Sequence, residues 1–278
     1  MATKKTAHFR KLLARETVVM PGALNAISAM LIEQAGFSAY YLSGAGLANA
    51  VFGRPDIGLT TLKEATEHAT RIDQMVTIPG ISDADTGFGI RGGIAKTVEL
   101  FEETGVVGIH LEDQCTDKKC GHLEGKKLVS IDDMTQKIRE AHHAKSDQDF
   151  VIIARTDACS VEGLDHAITR ARAYIAAGAD AIFPEALTTE EDFRAFRKAI
   201  DVPLLANMTE FGKTPMTSVT TFKNWGYNMV IFPMTLFRIS AKAMGEALLE
   251  LKTLGTQRGL INRMQTRVEL YELLKYQP

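Results

Sequence analysis

The sequence predicts an α/β fold, a (β/α)8 barrel of the TIM type with extra helices at its C-terminal end. Three observations lead there. A short β-branched or apolar run, mostly followed by a helical pattern, recurs eight times along the 278 residues, which calls for parallel strands joined by crossovers. No G-x-G-x-x-G follows the first run, so the doubly wound open sheet lacks its signature. Polar residues stand at the C-terminal ends of the runs, the face on which barrels carry their sites.

The chain begins with MATKKTAHFRKLLAR, basic and free of acids. A transit peptide would share that composition. Phe9, Leu12 and Leu13 fall at helical spacing, and a short packing helix within 1–16 is the better reading. Strands are expected at 17–20, 39–43, 78–83, 107–112, 151–155, 181–185, 203–207 and 229–233. Helices are expected at 25–35, 62–75, 93–103, 131–144, 163–177 and 190–199, with Gly36, Gly105 and Gly178 where C-caps belong. Residues from about 234 to 278 read as a helical extension of one domain spanning 1–278. No linker, charge block or low-complexity segment divides it.

Hydrophobic residues make up 45% of the chain, enough for a sizeable core, and the net charge is −2. That balance points to neither nucleic acid nor an anionic membrane. An anionic ligand would have to be held by local positive charge. Cys115, Cys120 and Cys159 are an odd set without framework spacing, so free thiols and a reducing, cytoplasmic setting are expected. No apolar run reaches the ~18 residues of a membrane span.

Strand side chains alternate with period two. Asp83, His110, Arg155, Glu185 and Asn207 are preceded two residues earlier by Ile81, Gly108, Ile153, Phe183 and Leu205. Each polar group should therefore point into the mouth above apolar layers. Exposure alone explains one or two polar strand ends, but not Ser43, Asp85 and Glu112 as well.

Asp83-Ala84-Asp85-Thr86-Gly87 places two carboxylates two apart among small residues. Oxygen donors of this kind suit a hard cation such as Mg²⁺, which keeps several waters. A pair of turn acids before glycine would leave the same trace. Glu112 and Asp113, near the end of the next strand, strengthen the metal reading because further acids can hold the metal's waters. The loop 114–127 carries Lys118, Lys119, Cys120, His122 and two glycines, and reads as a lid at the mouth. A protonated thiol could give a proton to a carbanion, whereas nearby lysines favour thiolate; a solvated basic loop with an incidental Cys is the plain alternative. Tyr41 shares the parity of Ser43 and should face the mouth, with Tyr40 facing helices. Its phenol could act as acid or base, or be a packed aromatic with a satisfied hydroxyl. Arg155, Arg238 and Arg267 could hold carboxylates, and only Arg155 has a strand-end position.

The segments SGAG (43–46), DADTGFG (83–89), HLEDQ (110–114), KKCGH (118–122), ARTDA (154–158), NMTEFGKTP (207–215) and MQTRVELYE (264–272) resemble the isocitrate lyase/phosphoenolpyruvate mutase superfamily over nearly the whole chain. The KKCGH segment is similar to that of its lyase branch, and the last two segments to its methylisocitrate-cleaving group. That resemblance implies cleavage of 2-methylisocitrate to pyruvate and succinate in propionate catabolism through the methylcitrate cycle. It implies Mg²⁺, with Mn²⁺ an acceptable substitute, held by Asp83 and Asp85 and by Glu112 through water. It implies a homotetramer with C-terminal helices exchanged between subunits. Ser43, Gly44 and Ala45 would hold the pyruvate part, and Cys120 and Gly121 would lie over the succinate part. Arg155, Glu185, Asn207, Met208, Thr209, Arg238 and Arg267 would complete the substrate shell. Many relatives carry Gly where this chain has Ala45.

The expected catalytic set is Tyr41 as base, Cys120 as acid, and Arg155 with Lys118 of the lid stabilising the developing charge; His122 is grouped with them. Related readings keep fold and metal but change the substrate to isocitrate, 2,3-dimethylmalate or oxaloacetate. A non-catalytic dicarboxylate-binding protein is the alternative from another class.

Overall fold

The computed structural model describes residues 4–89, 93–116, 121 and 125–276. Its eight strands are β1 Val18–Pro21, β2 Tyr40–Leu42, β3 Gly80–Asp83, β4 Gly108–Glu112, β5 Val151–Thr156, β6 Ala181–Pro184, β7 Leu205–Asn207 and β8 Met229–Phe232. Each lies within two residues of its expected bounds. All pairings between these strands are parallel. They form one sheet in the order β2-β3-β4-β5-β6 and another in the order β1-β8-β7. The neighbouring edges meet through single parallel bridges, Gly22 with Tyr41 and Ile182 with Leu204. Each join involves a three-residue strand, β2 or β7, too short to carry a long ladder.

The alternation of side chains divides the interior in two. Val18, Met20, Ala39, Tyr41, Ile81, Ile153, Phe183, Leu205 and Ile231 share one buried cluster on the inner face of the strands. Their odd-register neighbours, including Tyr40, Ile109, Ile152, Ile182 and Val230, belong to a larger cluster shared with the surrounding helices. Burial on both faces explains why β5 is buried at all six positions. The first helix, Lys5–Arg15, contributes Phe9, Leu12 and Leu13 to the inner cluster. It is a packing helix closing the N-terminal ends of the strands.

Several helices begin on side-chain caps. Asn25, Thr61 and Thr189 each make a reciprocal capping box, satisfying amide donors that a helix start leaves unpaired. Gly36, Gly105 and Gly178 end helices with φ of 84°, 94° and 109°, conformations that a Cβ would strain. The helices over Ile131–Ala144 and Glu190–Ala199 have the expected bounds. A π-helical turn, Leu47–Val51, was not legible in the sequence.

The helix after β8, Thr235–Leu254, has no buried residue along its 20 positions. Ile239, Leu248, Leu249 and Leu254 are each more than 60% exposed. The chain then turns back through Arg258–Arg263 to a last helix, Arg267–Leu273, which packs on Ala26–Gln34 and buries Leu273 in the outer cluster. Among the described residues, no helix is long and apolar enough to cross a membrane.

Candidate active site

The C-terminal ends of the strands surround a cavity of about 320 Å³. Its acidic wall starts at Ser43, whose Oγ accepts from the amide of Gly46 (3.1 Å). The turn so capped presents the amide of Gly44 to Asp83 Oδ2 at 3.2 Å. Asp83 Oδ1 accepts from the amide of Asp85 at 2.9 Å. A Cβ on Gly44 would lie 2.8 Å from Asp83 Oδ2 and 3.4 Å from Asp85 Oδ1, so both carboxylates converge on the same point and only glycine fits between them. The convergence is not the strand alternation expected from the D-x-D spacing. β3 ends at Asp83, and Asp85 adopts a left-handed φ of 48°. That turn directs its carboxylate towards a small void shared with Ser82 and His68 behind the main cavity.

Asp83 and Glu112 both line the cavity, and Glu112 is 1% exposed. Among the described residues no three His, Cys, Asp or Glu side chains cluster as a complete metal cage. Two converging carboxylates with a third nearby are the donor set of a hard cation that keeps most of its water. They fit Mg²⁺ and do not fit a thiol- or imidazole-rich centre.

Beside the acids, the Tyr41 hydroxyl lies 2.7 Å from His110 Nε2, and the same nitrogen lies 3.5 Å from Asp83 Oδ1. Burial, reinforced by Asp83, pushes the Tyr41 pKa well above the ordinary phenol range despite the opposing charge of Arg155. The expected base is thus a neutral phenol, able to accept a proton only by passing on its own, and His110 Nε2 is the ring nitrogen adjacent to it. Tyr40 faces outward as its parity requires, donating to Asp73 Oδ1 at 2.9 Å.

Opposite stands Arg155, buried among three carboxylates. Its Nε donates to Asp157 Oδ2 at 2.9 Å and its Nη2 to Asp157 Oδ1 at 3.3 Å. Nη1 lies 3.3 Å from Glu112 and Nη2 3.6 Å from Glu185. The guanidinium also rests 5.2 Å from the Phe183 ring centre. Burial alone would lower its pKa, but Asp157, Glu112 and Glu185 hold it well above the ordinary value. Gly121 touches this group: a Cβ there would come within 2.4 Å of Arg155 Nη2 and 2.6 Å of Glu185 Cγ. The Nδ2 of Asn207 donates to Glu185 Oε2 at 3.1 Å. Its buried Oδ1 has no hydrogen-bond partner among the described residues, which suits a ligand donor. Ala45, Thr209 and Arg238 complete the rim, with Arg238 3.4 Å from Glu210.

Three expectations need correction. Met208 turns its side chain away from the mouth into the outer cluster, because it is one residue out of phase with Asn207. Arg267 is exposed at the start of the last helix and does not line the cavity. Asp113 is engaged away from the cavity: Thr156, the amide of Asp157 and Tyr174 all donate to its carboxylate, and its pKa is raised chiefly by burial. Lys118, Cys120 and His122 lie outside the described residues.

The expected catalytic and binding sets omit four groups now seen here. Parity had placed His110 in the mouth and Phe183 in the layer beneath it, but neither was given a chemical role. Asp157 follows Arg155 by two residues, a usable signal. Lys126, 2.8 Å from Asp157, had none.

Residues 9–252 match the family described as phosphoenolpyruvate phosphomutase. The chain is 49% identical to a probable 2-methylisocitrate lyase of Corynebacterium glutamicum over 95% of its own length and 86% of the relative's. It is 48% identical to the 2-methylisocitrate lyase of Aeropyrum pernix, over 94% and 84% respectively. Among solved structures it is similar to a 2,3-dimethylmalate lyase (TM-score 0.92, 35% identity, 98% and 92% of the two chains). It is also similar to a phosphonopyruvate hydrolase in complex with oxalate and Mg²⁺ (TM-score 0.86, 29% identity, 98% and 95%).

Proposed function

Because the chain belongs to the phosphoenolpyruvate phosphomutase family, we propose that it cleaves 2-methylisocitrate to pyruvate and succinate in the methylcitrate cycle. The observation that carries the reading is the opposition of Asp83, on which Asp85 converges at Gly44, to the buried Arg155 across one cavity. A substrate with a hydroxyl beside one carboxylate and further carboxylates beyond the scissile bond needs both walls.

Asp83 and Asp85 would hold Mg²⁺, with Glu112 reaching it through water. When bound, the ion lowers the cost of negative charge on the substrate's hydroxyl oxygen. Tyr41 takes the hydroxyl proton while its own passes to His110 Nε2. The oxygen's electron pair forms the pyruvate carbonyl, and the bond to the succinate carbon breaks. The leaving pair spreads into the adjoining carboxylate, where Arg155 and Lys118 stabilise it in a site closed to water. Cys120 then protonates that carbon, and His122 lies in the same loop. Ser43, Gly44 and Ala45 hold the pyruvate end; Gly121, Glu185, Asn207, Thr209 and Arg238 surround the other. Arg267 would reach a substrate only if brought in by exchange between subunits.

The strands form a closed barrel, and the assembly is a homotetramer exchanging C-terminal helices. The unburied helix Thr235–Leu254, with its exposed leucines, supports that assembly because such a surface in water marks an interface. The free thiols suit a cytoplasmic enzyme.

A coupled assay offering 2-methylisocitrate, isocitrate, 2,3-dimethylmalate and oxaloacetate tests the reading. Preferred turnover of 2-methylisocitrate is expected. Preference for 2,3-dimethylmalate would favour the activity named for the solved relative, and binding without turnover would indicate a dicarboxylate-binding protein. Cys120→Ser should nearly abolish turnover and spare substrate binding; turnover within a few-fold of wild type would remove Cys120 as the acid.

A further inference from the structure

Lys126 carries a buried ammonium that the chemistry above does not use. Its side chain is 1% exposed. Nζ donates to Asp157 Oδ1 at 2.8 Å and to the carbonyl oxygen of Gly121 at 2.5 Å. The backbone around it is anchored: Gln114 bridges Leu128 in antiparallel register, and the amide of Cys115 donates to the carbonyl of Lys127 at 2.9 Å. Lys126 thus extends from a fixed base to Gly121, which lines the cavity, and to Asp157, buried behind Arg155.

Both of those groups bear on Arg155. Asp157 grips the guanidinium through Nε and Nη2, and Lys126 shares the same carboxylate. Gly121 packs against Arg155 Nη2 and Glu185 so closely that no Cβ fits. A buried ion pair returns little net stability, because desolvation offsets attraction. Its value lies in direction: an ammonium with two fixed partners sets their separation.

We infer that Lys126 is a positioning residue, holding the Gly121 carbonyl and, through Asp157, orienting Arg155 towards the leaving half of the substrate. This rests on the lyase reading for its kinetic consequence, though not for its geometry. Asp157 faces two cations, Arg155 and Lys126. Without Lys126 the carboxylate turns wholly to Arg155, and the guanidinium shifts off the line that Glu112 and Glu185 define. Stabilisation of charge in the transition state suffers more than substrate binding.

Steady-state kinetics on Lys126→Met, Lys126→Arg, Asp157→Asn and the Lys126→Met/Asp157→Asn double variant test the inference, each checked for native circular dichroism. Lys126→Met should lower kcat by about 30-fold with KM within about threefold, the signature of an interaction made in the transition state. Lys126→Arg should recover most of that loss. The double variant should lose no more than the worse single one, since coupled residues are not additive. A loss carried by KM, multiplying losses, or kcat within about threefold of wild type in Lys126→Met would overturn it. Amide hydrogen exchange keeps the test independent of turnover. Lys126→Met should speed exchange at Gly121 by about tenfold and leave β7 and β8 unchanged; no change at Gly121 overturns the inference even if wild type cleaves none of the four acids. Wild-type inactivity combined with faster exchange would instead discard the lyase reading alone.

Discussion

The two ends of the strands are built from opposite materials. At the N-terminal ends, Val18, Ala39, Val151, Ala181 and Met229 meet Phe9, Leu12 and Leu13 in an apolar cluster. At the C-terminal ends of the strands, the buried side chains of His110, Glu112, Arg155 and Glu185 crowd together with that of Asp83. The first end gains from every apolar surface removed from water. The second places like charges together and holds Asp85 at a left-handed φ, arrangements that cost stability and persist where function requires them. One end should therefore govern folding and the other turnover.

The sharpest way to break that division is Asp85→Asn. Asparagine keeps the size of the side chain and tolerates the left-handed backbone, but removes one of two converging negative charges. Activity should fall by about 10³-fold, the scale of losing a key electrostatic group, and exhaustive chelation should do nothing more to the variant. Thermal stability should be unchanged or higher, because the repulsion with Asp83 is relieved. Activity near wild type, or a large loss of stability, would place Asp85 on the folding side of the division.

Much of this contrast was legible from period two alone. Ile81 before Asp83, Ile153 before Arg155 and Phe183 before Glu185 put the apolar layer and the polar mouth in the correct strands, because a buried parallel strand has one inner face. The same rule, applied strictly, excludes Met208, which lies one residue out of phase. The Asp83–Asp85 convergence was right in its partners and wrong in its cause, since it depends on a turn rather than on strand geometry. The π-helical turn over Leu47–Val51 and the reach of Lys126 to Gly121 and Asp157 were not legible. Each depends on where distant backbone comes to rest, and neither leaves a periodic trace.

At the opposite end, Phe9→Ala probes the apolar cluster. Phe9 is fully buried, and removing a buried aromatic ring costs about 3–5 kcal/mol. Denaturant unfolding should register that loss, while kcat at a temperature where the variant remains folded should stay within about threefold of wild type. A large drop in kcat in folded protein would mean that the helix Lys5–Arg15 shapes the mouth across the full length of the strands, and the two ends would no longer be separable.

The smallest effect concerns His68, which stands behind the acid turn yet should act on stability. Burial, with a lesser contribution from Arg71, lowers its pKa from 6.5 to about 4. The folded state therefore keeps this imidazole neutral where the unfolded chain takes up a proton. Its stabilising contribution is complete above pH 6.5, declines as the pH falls towards 4, and declines no further below that. At pH 5.5 the difference amounts to about 1 kcal/mol, or roughly 3 °C in Tm for a chain of this size. His68→Gln, which does not titrate, should flatten the fall in Tm between pH 6.5 and 5.5 by that amount. An identical slope in both proteins would show that His68 takes up its proton alike in the folded and unfolded chain, and that its place behind the acid turn does not keep the imidazole neutral.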